Sequence, residues 1–350
     1  MCSSDLVPGR HPLTMDRTLV TIPGLDRPYA WEEGWAALPG PDDPGAWAHP
    51  GLAVLPSGDL LVVDADRPQV HVVTAQGTRR RSIDLPVHEA HGVTVEGSGT
   101  GLSMWVADPG FKLRIRGPER IFEGPRAGRV VRVGMAGQVL AEIGTPPHPA
   151  YREATFQPTA IALSGSGPDR VVWVADGYGA NLVHRFRPDG EWLGAIAGGD
   201  EGDLRFRTPH AVHIDDRGGE PEVLVTDRVG RRIQAFDLDG RFRRTIADGD
   251  LTSPSAIARL GDLLVVGELN ASLAVLDPDG RLIGRIGDRP EVVTEPDWPN
   301  WRAENGDLVR TPRLVPGRFH APHGLAVADD GTIHVAEFVI GGRLVRLVPA

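Results

Sequence analysis

The stretch Ala321-Pro322-His323-Gly324-Leu325-Ala326-Val327, followed by Asp330-Gly331 and then Thr332-Ile333-His334-Val335-Ala336-Glu337, decides how the rest of the chain reads. An apolar run, an Asp-Gly turn and a second apolar run ending in an acid describe two antiparallel strands joined tightly. The same pattern returns along the chain. At the slot of His323 its six copies carry Pro50, His91, Thr159, His210, Ser255 and His323, so every second copy has a histidine.

The third copy is the most regular. It runs through Ala160-Ile161-Ala162-Leu163, Val171-Val172-Trp173-Val174-Ala175-Asp176, Leu182-Val183-His184-Arg185-Phe186 and, after Pro188-Asp189-Gly190, Glu191-Trp192-Leu193. Four short strands at a period of roughly 40–50 residues are the pattern of a β-propeller blade. Six copies predict an all-β, six-bladed β-propeller. The last copy stops at Leu347-Val348, one strand short, whereas Arg17-Thr18-Leu19-Val20-Thr21-Ile22-Pro23 is a spare strand. Residues near 18–23 are therefore expected to close the ring, which removes the sheet edges of an open array. A linear stack would need polar capping units, and none is visible. Residues 17–350 read as one propeller, with insertions at 109–127 and 288–319, and residues 1–16 as a leader outside the fold.

Composition agrees. The chain has 350 residues, 41% of them apolar, with Gly 44 and Pro 31 falling between Val/Ile/Leu-rich runs, as a β fold with many turns requires. A net charge of -10 argues against nucleic acid or an anionic membrane as partner, since either selects a basic face. Cys2 is the only cysteine, so there is no disulfide framework. No apolar run matches a signal peptide or a membrane span. The expected location is the cytoplasm.

In a propeller the first strand of each blade lines the central channel. His91, His210 and His323, from blades two, four and six, should then stand about 120° apart at one depth. One such histidine would read as a cap on the channel mouth. Three at equivalent slots read as a metal site, for zinc or Fe²⁺, with further coordination positions open. His88 and His320 read as solvated loop residues. His213 falls on the opposite strand face from His210 by period-two alternation and reads as packing. The acids Asp64, Asp108, Asp176, Asp227, Glu268 and Glu337 occur in all six copies, which points to a structural role on loop amides. Tyr178 and Arg228 follow two of these acids and should sit beside the histidines. Both insertions should emerge on that face as a lid.

These residues resemble a known family. Phe156-Gln157-Pro158-Thr159 with Asp176-Gly177-Tyr178, and Phe206-Arg207-Thr208-Pro209-His210 with Asp227-Arg228 and Arg232-Ile233-Gln234-Ala235-Phe236, look like the NHL-repeat propeller of peptidyl-α-hydroxyglycine α-amidating lyase. Pro322-His323 and His91-Gly92 extend the likeness over most of 48–348. The resemblance implies a channel zinc on His91, His210 and His323, Tyr178 as base and Arg228 as site arginine. It also implies a structural calcium on backbone carbonyls at Leu52 and Val93. The family's blade-one arginine falls on Ala65, with Arg67 as its replacement, and the acid that follows the third histidine is here Gly324. The implied reaction cleaves the C–N bond of an α-hydroxyglycine-type carbinolamide, giving an amide and glyoxylate or a related aldehyde. Its substrate would be a small molecule or peptide bearing an α-hydroxy amide. The alternative is a non-catalytic propeller that binds a protein or peptide across its face. A lactonase-type hydrolase would need carboxylate and amide ligands, which the slots do not offer.

Overall fold

The computed structural model describes residues 18–124, 126–199 and 202–350; the leader assigned to residues 1–16, and Arg17, lie outside the described residues. Five four-stranded antiparallel sheets and one five-stranded sheet form six blades. Inner strands of consecutive blades touch all the way round, Pro322–Val327 of blade six against Leu52–Val54 of blade one included. The ring is closed.

Each blade is covered on both sides by its neighbours, so its middle strands are apolar on both faces rather than alternating. Val172, Trp173, Val174 and Ala175 are all fully buried. Trp105 of blade two packs with Ile161, Val174 and Phe186 of blade three, and Trp173 of blade three with Val212, Val225 and Phe236 of blade four. Their indole N–H groups are satisfied by Glu96 Oε2 and Ser164 Oγ, each at 2.9 Å.

Closure differs from expectation in one strand. Pro28–Glu33, not 18–23, is the outer strand hydrogen-bonded to Arg343–Pro349, with Trp31 opposite Leu347; Thr18–Thr21 adds a fifth strand outside it. Pro28 and the pair Glu32-Glu33 hide this strand in the sequence. Pro28 stands at its first position, where a missing N–H is tolerated. The two acids face arginines: Glu33 binds the buried Arg343 at 2.6 Å and Glu32 binds Arg346 at 2.6 Å.

A bulge recurs at the channel slot. Pro209 pairs with Asp227 and Ala211 with Thr226, leaving His210 as an extra residue; Ser255 and His323 stand in the same relation to their partners. In blade two, His91 N–H donates to Ala107 O while Ala107 N–H donates to Gly92 O, both at 2.9 Å, so two residues again oppose one. Such a bulge re-aims its side chain. It also breaks the period-two count between His210 and His213.

The acids that end the second strands bind loop amides. Asp176 Oδ1 accepts from Gln157 N–H at 2.7 Å, Asp227 Oδ1 from Arg207 N–H at 2.6 Å and Glu337 Oε1 from His320 N–H at 2.5 Å. Each ties the loop preceding an inner strand to the end of the second. The slot residue is thereby held in place.

Among the described residues no helix is long and apolar enough to cross a membrane.

Candidate metal centre and its cavity

His91, His210 and His323 converge in the channel. Their ring centroids form a nearly equilateral triangle with sides of 4.8, 4.9 and 5.0 Å, and their ligand nitrogens lie within 4.8 Å of one another. All three are buried. Among the described residues they are the one group of three or more His, Cys or acidic side chains so gathered.

The tautomers follow from the backbone. His91 Nδ1–H donates to Thr159 O at 2.6 Å, His210 Nδ1–H to Ser255 O at 2.6 Å and His323 Nδ1–H to Pro50 O at 3.4 Å. Each acceptor is the slot carbonyl of the next blade. With the protons on Nδ1, every Nε2 presents a lone pair to the axis, the arrangement that orients histidine metal ligands. The rings are held neutral: burial, then the surrounding positive groups, moves all three well below the ordinary 6.5. His323 Nε2 is buried with no hydrogen-bond partner. An orphan acceptor beside two more imidazole nitrogens is the donor set that Zn²⁺ or Fe²⁺ takes, so these residues fit the ion that the slots imply.

Tyr178 and Arg228 are brought to the same point. Tyr178 Oη lies 3.1 Å from His91 Nε2 and 3.2 Å from His210 Nε2, and Arg228 Nη1 donates to it at 3.4 Å. Burial raises the Tyr178 hydroxyl above its ordinary 10, and the Arg228 charge opposes that rise. Arg67 is not at the site. Its guanidinium turns outward to Asp42, and the cavity lining does not include it. The cause is Asp64, whose Oδ1 accepts from both Asp66 and Arg67 N–H and fixes a tight turn that aims the side chain away.

Leu52 and Val93 line the channel on the other side of the histidines, a cavity of about 450 Å³. Its lining acid, Glu96, is already bound by Arg170 and Trp105, each at 2.9 Å. At Gly324 a Cβ would stand 2.3 Å from Pro50 O, so this backbone has no room for the acid of the resembled family.

Both insertions fold over the histidine face. Lys112–Arg116 and Glu119–Glu123 form a hairpin, Trp301–Arg302 and Leu308–Val309 a second, and Leu308 N–H joins them by donating to Gly117 O at 2.9 Å. Beneath the first lies a cavity of about 440 Å³ walled by Phe111, Leu113, Phe122, Leu269 and Phe338, with Tyr178, Arg228 and His323 at its floor. His320 is buried under the second insertion and donates from Nε2 to Pro299 O at 3.0 Å, so it is not a solvated loop residue. His88 remains partly exposed, 3.6 Å from Asp108.

Three residues at the site escaped the sequence reading: His49, Glu89 and, on the inserted hairpin, Arg120. His49 stacks on His91 at 4.9 Å and on Phe338 at 4.6 Å, and its Nδ1 bonds Glu89 Oε1 at 2.6 Å. Glu89 is buried between His49 and Lys112 Nζ, 3.4 Å away. The order His49-Pro50, reversed from Pro209-His210 and Pro322-His323, was the available signal.

No family model matches the chain. It is 27% identical over 238 residues to NHL repeat-containing protein 3 of Mus musculus, covering 65% of this chain and 62% of that protein. It is 24% identical over 299 residues to peptidyl-glycine alpha-amidating monooxygenase A of Xenopus laevis, 82% of this chain but 26% of that protein. The rat peptidylglycine alpha-amidating monooxygenase matches at 22% over 298 residues, with 25% of its length spanned. Among solved structures, a streptogramin B lyase superposes over 92% of this chain and 98% of its own, with a TM-score of 0.56 at 13% identity. That likeness is one of fold. The chain is a six-bladed β-propeller, distantly similar in sequence to an NHL repeat-containing protein and to the peptidyl-glycine α-amidating proteins.

Proposed function

We propose that this chain is a metal-dependent lyase that cleaves an α-hydroxyglycine-type carbinolamide to an amide and glyoxylate or a related aldehyde. One observation carries the reading: the Tyr178 hydroxyl sits between two of three converging imidazole nitrogens, within reach of Arg228, under a lidded apolar cavity. Zinc, or Fe²⁺, held by His91, His210 and His323 would supply Lewis acidity to the substrate's α-hydroxyl. The distant likeness to the amidating proteins points the same way.

The chain's own groups perform the rest. Acting as the phenolate, Tyr178 Oη takes the hydroxyl proton as the C–O bond becomes C=O, the C–N electron pair leaves with nitrogen, and Tyr178 returns the proton to that nitrogen. Arg228, beside Tyr178, favours the anionic form of the phenol and stabilises negative charge developing on the substrate oxygen. The first insertion partly covers the cavity, and shielding from water strengthens both interactions.

The test is metal content by mass spectrometry on protein purified without a metal-affinity tag, together with glyoxylate release from an α-hydroxyglycine peptide. About one ion per chain and glyoxylate formation, both lost in His210→Ala, are expected. Metal-free protein without turnover after zinc addition would overturn the lyase and leave a binding scaffold.

A further inference from the structure

The chain carries a net charge of -10, yet the cavity above the histidines has no carboxylate in its lining and two fixed cations, Arg228 and Arg120. Arg228 is engaged with the Tyr178 hydroxyl. Arg120 has no hydrogen bond or ion pair with any side chain among the described residues, and it stands on the inserted hairpin, where the other arginines are paired. Arg114 binds Asp66 and Glu123, and Arg116 binds Asp43 at 2.8 Å. Asp297, the acid that bears on Arg120 electrostatically, is itself held by Arg302 at 2.6 Å. The guanidinium is oriented all the same, because it lies 4.5 Å from the Trp47 ring, and Trp47 is fully buried and stacked on Phe338. A stacked guanidinium leaves its N–H edge free for a planar anion.

We propose that Arg120 binds the carboxylate of the substrate, and that the substrate's other end is an apolar acyl or peptidyl group lying on Phe111, Phe122, Leu269 and Phe338. This inference rests on the lyase reading for the identity of the anion. It assigns to an inserted hairpin the task that a blade-one arginine would perform, at a position where this chain has Ala65 and where Arg67 turns out to Asp42. It also divides the two cations, Arg120 for the carboxylate and Arg228 for the proton-transferring oxygen.

The test is calorimetric titration of zinc-loaded protein with N-phenylacetylglycine, which cannot turn over, and with its carboxamide. Wild type is expected to bind the acid about 10-fold or more tightly than the amide. Arg120→Ala should lose that preference, and Arg120→Lys should keep part of it. Zinc content and melting temperature should match wild type in both variants. With a hydroxylated substrate, Arg120→Ala should raise KM about 10-fold with kcat changed far less. Equal affinity of wild type and Arg120→Ala for the acid, or no preference of wild type for acid over amide, would overturn the assignment. Neither result would touch the lyase itself, which stands or falls on metal content and glyoxylate release.

Discussion

The glycine after His323 should govern metal affinity without touching a metal. In Gly324→Ala the new Cβ would lie 2.3 Å from Pro50 O and 3.2 Å from Pro50 C. Both atoms are backbone of the neighbouring blade, so no flexible side chain can yield. Relief requires blades one and six to separate by about 1 Å at the slot, and a close-packed interior resists such a shift. Pro50 O is also the acceptor for His323 Nδ1, at 3.4 Å the longest of the three ring-to-carbonyl bonds. The same displacement therefore frees the ring. Overpacking of this kind costs about 1–3 kcal/mol, and loss of an orienting hydrogen bond costs about 10-fold or more in metal affinity. Zinc affinity by competition with a chromophoric chelator measures the second, and denaturant unfolding of metal-free protein the first. Gly144→Ala is the control, since a Cβ there meets nothing within 4 Å. If Gly324→Ala held zinc within twofold of Gly144→Ala, the coupling between inter-blade carbonyls and ligand orientation would be refuted.

Tyr178→Phe removes the hydroxyl that lies between His91 and His210; kcat for glyoxylate release should fall about 10²–10⁴-fold with metal content unchanged, and unaltered kcat would remove Tyr178 from the chemistry. His184 accepts from Trp192 Nε1–H at 3.2 Å and donates to Tyr151 Oη at 2.6 Å, and Tyr151 in turn donates to Asp176, so neither ring nitrogen has room for a second proton. Burial, then the charge of His148, lowers its pKa to about 3 from 6.5. The unfolded chain then binds the extra proton first: this contribution is intact above pH 6.5 and is lost as pH falls below it, by about 2 kcal/mol at pH 5. Urea unfolding at pH 7.5 and pH 5 should show a pH dependence smaller by that amount in His184→Gln, and coincident slopes would count against it. Burial would raise the Glu89 carboxyl, but Lys112 and His49 outweigh it and hold it at about 2. Glu89→Gln leaves Lys112 buried without its acid and should cost about 3–5 kcal/mol in denaturant unfolding; a loss below about 1 kcal/mol would show that the pair holds nothing together.

The fold was legible because a repeat multiplies a weak signal. One apolar hairpin ending in an acid says little, but six at a regular period leave few architectures that bury both faces of every sheet. The alternation of His91, His210 and His323 with Pro50, Thr159 and Ser255 was legible for the same reason: rotation about one axis turns equal places in the repeat into equal places in space. Tyr178 and Arg228 could be located because they follow equivalent places in the copies, two residues after Asp176 and one after Asp227, the acids that end second strands.

Wherever a contact depends on residues outside that period, sequence was silent or misleading. Nothing in Glu32-Glu33 marks a buried closing strand until Arg343 and Arg346 stand opposite. A bulge of one residue changes no composition, yet it takes His210 out of the strand pairing. His49, Glu89 and Arg120 reach the site from a blade-one loop, a blade-two loop and an inserted hairpin, and Arg67, near them in blade one, points away. Spacing along the chain determines which residues share a blade and a depth. Which side chains meet across blades, and which arginine keeps a free edge over the cavity, depends on through-space packing and charge pairing that only the closed ring decides.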